Sequence, residues 1–120
     1  MDLESFRIYC LKKRAVTEEL PFGPDTLVFK VCGKMFALTG LENPSLSVNL
    51  KCDPDYALEL REQYNGIEPG YHMHKQYWNT VECEDDVPES LILELIDHSY
   101  DLVVAKFTRK EKEILNNWHE

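Results

Sequence analysis

Five glycines in 120 residues, each at a turn signal, leave no Gly-x-Gly-x-x-Gly and no phosphate-binding loop. The common nucleotide-cradling motifs are therefore excluded. No window comes near the ~18 uninterrupted apolar residues of a membrane span. Met1-Asp2-Leu3-Glu4 is acidic where a secretory leader is basic and then apolar, so a cytoplasmic location is expected. Four cysteines, at 10, 32, 52 and 83, include no Cys-x-x-Cys pair. That spacing lacks the knuckle of a zinc site and the vicinal thiols of a redox site, and predicts reduced, mostly buried cysteines. Positive charge is also scarce, with 13 basic against 22 acidic residues and a net charge of −9. An acidic total repels nucleic acid at long range.

What is present suffices for one domain over residues 1–120: 43% of the residues are hydrophobic, with two Trp, six Tyr and five Phe. The acidity is concentrated. Residues 52–105 hold thirteen acidic and two basic side chains, whereas residues 1–51 and 106–120 each carry a net +1. Local basic patches near the two ends of the chain remain open.

Leu3, Phe6 and Cys10 recur at helical spacing and predict a helix over Asp2–Lys13. Thr17 to Pro24 reads as a break, with two prolines and a glycine. Three strands are expected next, at 27–31, 35–39 and 46–51, the first two joined by a tight reversal at Cys32-Gly33-Lys34. Leu27, Phe29 and Val31 should face the core and Lys30 the other side. Residues 46–51 alternate apolar and polar, as in a sheet with one free face. Asp53-Pro54 opens a helix with Ala57, Leu60 and Tyr64 on its inner side, ended by Asn65-Gly66. Residues 67–78 form a turn running into a strand through Val81. A longer helix follows Pro88, and the capping box Thr108-Arg-Lys-Glu111 starts a last one, docked by Ile114, Leu115 and Trp118. This order, without βαβ alternation, is an α+β fold: an antiparallel sheet backed by helices.

No nucleophile–base constellation is legible, so no enzyme is expected. Ser99 lies inside a helix rather than on a strained elbow, and the carboxylates read as solvated faces, the Glu82–Asp86 run included. His72-x-His74 on a strand would point two imidazoles one way, but no third ligand lies nearby and neither metal nor cofactor is expected. The densest chemistry is Pro69–Trp78. Lys75 offers a cation, Tyr71, Tyr77 and Trp78 offer aromatic planes, and His72 and His74 offer imidazoles. Such groups stack rings and neutralise anions. Equally, Trp78 is a core anchor and Lys75 a surface charge.

Pro21-Phe22-Gly23, Val28-Phe29-Lys30-Val31, Gly33-Lys34-Met35-Phe36-Ala37, Pro69-Gly70-Tyr71-His72-Met73 with Lys75 and Trp78, and Ser99-Tyr100-Asp101-Leu102-Val103 resemble the MmcQ/YjbR family of small bacterial proteins. The resemblance spans nearly the whole chain. It implies a frataxin-like (CyaY-like) fold and a DNA-binding domain with a double-wing arrangement of hairpins. The wings would be the hairpin around Gly33 and the segment ending at Trp78, carrying Lys30, Lys34, Lys51 and Lys75. The expected site is thus a basic and aromatic sheet surface of Lys30, Lys34, Lys51, Tyr71, His74, Lys75 and Trp78. It would bind duplex DNA weakly and without sequence preference, or alternatively a small anionic ligand or a protein partner.

Overall fold

The computed structural model describes residues 1–118, so positions 119 and 120 of the expected 1–120 domain lie outside the described residues. Six strands form one antiparallel sheet: β1 (Val16–Glu19), β2 (Thr26–Val31), β3 (Lys34–Gly40), β4 (Ser47–Lys51), β5 (Ile67–Pro69) and β6 (Trp78–Glu82). The order across it is β1-β2-β3-β4-β6-β5. Strands β1 to β4 meander, and α2 (Pro54–Gln63) then carries the chain past β6 to the far edge. α1 (Leu3–Leu11), α3 (Glu89–Ala105) and α4 (Arg109–Asn116) complete the described elements. The fold is the expected α+β arrangement.

One face of the sheet is buried under helices. Phe6 and Cys10 of α1, Ala57 and Leu60 of α2, and Ile92, Leu95, Ile96 and Val103 of α3 pack on Phe29, Val31, Ala37, Val48, Leu50 and Val81. The reversal between β2 and β3 has φ of +47° at Cys32 and +80° at Gly33, the twist-matched two-residue hairpin turn for which glycine is suited. A bulge follows: Phe29 pairs with Ala37 but Lys30 with Met35, so Phe36 turns to the helix side beside Ala37. Asp53 caps α2 by accepting from the Tyr56 N–H at 3.2 Å, and Thr108 and Glu111 form the reciprocal capping box of α4.

Three expectations are corrected. Residues 16–19 form edge strand β1 instead of a break, pairing Val16 with Val31 and Glu19 with Val28. The strand is short and polar, and Arg7 holds it from α1 through two bonds to the Glu18 carboxylate, at 2.9 and 2.6 Å. Residues 67–69 of the expected 67–78 turn form strand β5 on β6, while 70–77 are the expected turn, so His72 and His74 do not alternate on a strand. Of the residues expected to dock the last helix only Leu115 packs on the core, while Ile114 and, beyond the end of α4, Trp118 are exposed.

Candidate functional site

The face of the sheet away from the helices is not bare. Val28, Leu38 and Trp78 form a second, smaller apolar cluster there, with Met35 and Met73 against it. The bulge and the alternation of β6 bring these side chains to one side. Trp78 is 7% exposed and therefore a packing anchor, not a free stacking plane. Gly70 crosses directly over it: a Cβ there would stand 2.9 Å from the Trp78 Cβ, and the Gly70 N–H bonds the Trp78 carbonyl at 2.8 Å. Only glycine permits that approach.

Beside this cluster lies a groove of about 710 Å³. Its floor is Thr26, Leu38, Ser47, Asn49 and Thr80, and its walls are the loop residues Phe22, Asn43, Pro44, Tyr71, His72 and Met73. Glu68 and Glu82 also line it, and no lysine or arginine does among the described residues. The Thr80 hydroxyl donates to the Asn49 side-chain oxygen at 2.7 Å, which fixes part of the polar floor. Phe22 and Tyr71 stand 64% and 61% exposed on the two rims, far more than aromatic rings usually are in a folded chain.

The loop forming one wall is held from below by Arg61 of α2. Its guanidinium donates to the Asn79 side-chain oxygen at 2.7 Å and to the Lys75 carbonyl at 2.5 Å, with a longer bond to the Trp78 carbonyl. The loop also closes on itself, from Met73 N–H to Gly70 carbonyl and from Tyr77 N–H to His74 carbonyl.

Of the expected site residues, Tyr71 alone lines the groove among the described residues. Lys30 pairs with Glu19 at 3.4 Å, and Lys34 with Glu111 of α4 at 3.7 Å. Lys75 lies over the Tyr71 ring, 5.3 Å from its centroid, at the groove rim. His74 lies against Tyr77, centroids 4.7 Å apart, whereas His72 joins the groove wall. Among the described residues no cluster of three metal-binding side chains occurs. Lys51 ends β4 across from Trp78, and burial first, then the neighbouring ammoniums of Lys106 and Lys34, hold it below the ordinary lysine range. Lys106 and the groove residues Phe22, Glu68 and Glu82 were missed by the sequence reading. For Glu82 a signal existed: period-two alternation from Trp78 through Thr80 puts it on the open face.

Residues 11–102 match the YjbR family model. The chain is 38% identical over 93 residues to the protein YbdF of Escherichia coli O157:H7, covering 78% of this chain and 76% of that one. It is 27% identical over 115 residues to YjbR of Escherichia coli K12, covering 96% and 98%. Among solved structures, Deinococcus radiodurans protein DR2400, of domain family DUF419, superposes with a TM-score of 0.88 at 39% identity, over 95% of this chain and 87% of that one. Among the described residues no helix is long and apolar enough to cross a membrane.

Proposed function

The chain belongs to the YjbR family, and from that footing we propose that it is a non-catalytic, cytoplasmic binding domain whose groove takes a small ring-bearing cation. The carrying observation is a groove with two carboxylates, Glu68 and Glu82, and no lysine or arginine in its lining among the described residues, between two exposed aromatic rims. The nearby ammonium of Lys75 lies over the Tyr71 ring at the rim. Such a lining favours a ligand that brings positive charge and a flat ring face. A ligand of that sign replaces the anion expected from the sequence. Duplex DNA fits this face poorly, since phosphates laid over the groove would meet Glu68 and Glu82. The non-catalytic reading is supported by the state of the nucleophiles: burial pushes the Cys10, Cys52 and Cys83 thiols up to about 12, and the Ser99 hydroxyl is spent on backbone groups. Four free cysteines, three of them buried, suit a reducing compartment.

Tryptamine and indole-3-acetate, one ring system with opposite charges, test the reading by calorimetric titration. Tryptamine is expected to bind more tightly. Glu82→Gln, which removes a charge-assisted contact, should weaken it by roughly ten- to a hundredfold. Tyr71→Ala should weaken it while leaving the fold intact, because the ring is exposed. Tighter binding of the anion, or no binding of either probe, would overturn the proposal.

A further inference from the structure

A second site lies where β3 begins, β4 ends and α3 terminates. Lys51, half-buried on the last residue of β4, has no carboxylate partner among the described residues. Ser99 docks α3 at this end of the sheet, accepting from the Lys51 N–H at 2.9 Å and donating to the Phe36 carbonyl. About two helical turns further on, α3 delivers Lys106, whose ammonium lies 6.0 Å from the centroid of the Tyr77 ring. Lys34 opens β3 two residues before Phe36, whose carbonyl and the Lys51 N–H meet on the one Ser99 hydroxyl, so it starts from the same corner of the sheet. Besides burial, the ammoniums of Lys106 and Lys34 help hold Lys51 below the ordinary lysine range.

Three cations converge here in a chain whose acidic residues outnumber the basic by 22 to 13. Among the described residues only Glu111 pairs with any of them. Its Oε2 lies 3.7 Å from the Lys34 Nζ, while its Oε1 accepts from the Thr108 N–H at 3.0 Å in the capping box. Its charge is thus shared with the start of α4, and Lys51 and Lys106 have no ion-pair partner among the described residues. The α3 C-terminus favours a cation at Lys106, but nothing comparable serves Lys51. Converging ammonium groups match an anion with several charged oxygens better than they match a single carboxylate.

We propose that Lys34, Lys51 and Lys106 form a binding site for the phosphate group of a small molecule, separate from the groove. None of the three lines the groove, so this site stands or falls independently of the ring-cation reading.

Pyrophosphate titrated at low salt, followed by calorimetry and by NMR of the lysine side chains, is the test. Saturable binding is expected. Lys51→Met and Lys106→Met should each weaken it by roughly tenfold or more. Lys51→Arg should retain most of it, and Glu82→Gln and the paired Lys30→Met should leave it unchanged. Removing a repelled charge should leave the Lys51→Met thermal midpoint at or above that of the parent, so a loss of binding would not reflect unfolding. No saturable binding, unchanged affinity in Lys51→Met, or an equal loss in Lys30→Met would overturn the proposal. Displacement of pyrophosphate by a stoichiometric short DNA duplex would also overturn it, in favour of a nucleic-acid contact.

Discussion

Arg61 is the residue on which the groove wall depends. Its Nε–H satisfies the Asn79 side-chain oxygen, and the Nδ2 of that same buried amide has no partner among the described residues. Without the guanidinium the whole Asn79 amide would be buried and unpaired, and the Lys75 carbonyl would lose its donor. Arg61→Ala should therefore cost about 1.5–3 kcal/mol, the range for hydrogen bonds to charged groups. Urea denaturation measures that loss, and faster amide exchange at Gly70 and Tyr77 would place it in the loop. Arg61→Lys should recover little, since one ammonium cannot span the amide and two carbonyls. An unchanged urea midpoint in Arg61→Ala would refute this account. Nothing in the sequence marks Arg61, because its partners stand 14 to 18 positions away with no periodic relation to it. Trp78 was different: its residue type allowed either a buried anchor or a stacking plane. Only the register of β6 on β4, which turns Trp78 to the face of Val28 and Leu38, decides for burial.

At the scale of elements, α3 is positioned by one polar side chain in an otherwise apolar stripe. Ser99 is fully buried, and its hydroxyl serves the Phe36 carbonyl freed by the β3 bulge and the Lys51 N–H at the end of β4. Ser99→Ala removes little volume but strands two buried backbone groups, each costing about 1–3 kcal/mol. The variant should be destabilised by about 2 kcal/mol or more. A cavity-only view would predict a fraction of that, so thermal or urea unfolding separates the two. The period of α3 was legible from its apolar residues, and the capping box of α4 from Thr108 and Glu111, because both signals are local. β1 was not. Val16-Thr-Glu-Glu19 is a strand only because β2 offers it an edge and Arg7 clasps Glu18, and neither fact is local. The groove was hidden for the same reason. It is assembled from the loops around Phe22, Asn43 and Tyr71, and the acidic run that contains Glu82 reads as solvated charge until β6 is paired.

Across the whole molecule the thiols and three tyrosines, Tyr9, Tyr56 and Tyr100, govern how stability varies on the alkaline side. Burial raises Cys10, Cys52 and Cys83 to about 12 from an ordinary 9.0, and burial with the Asp97 hydrogen bond raises Tyr9 to about 12 from 10.0. Groups raised on folding contribute stability that is fully present below their unfolded pKa and is lost as pH climbs through the folded value. The window therefore opens near 9.0, where unfolded thiols ionise while folded ones stay neutral. Lys51 acts the other way: its folded pKa is lowered, so the fold gains as its proton leaves, below the unfolded value of 10.5. One partly buried lysine stands against four raised thiols and three raised phenols, and the growing negative charge of an already acidic chain adds self-repulsion to the same side. The balance is a net loss. In the presence of reductant, the urea midpoint should hold steady from neutral pH to just below 9.0 and then fall as pH rises further. Lys51→Met, which deletes the opposing contribution, should fall more steeply over the same range. A midpoint that stays level or climbs there would show that the thiols are already as accessible to base in the fold as in the open chain.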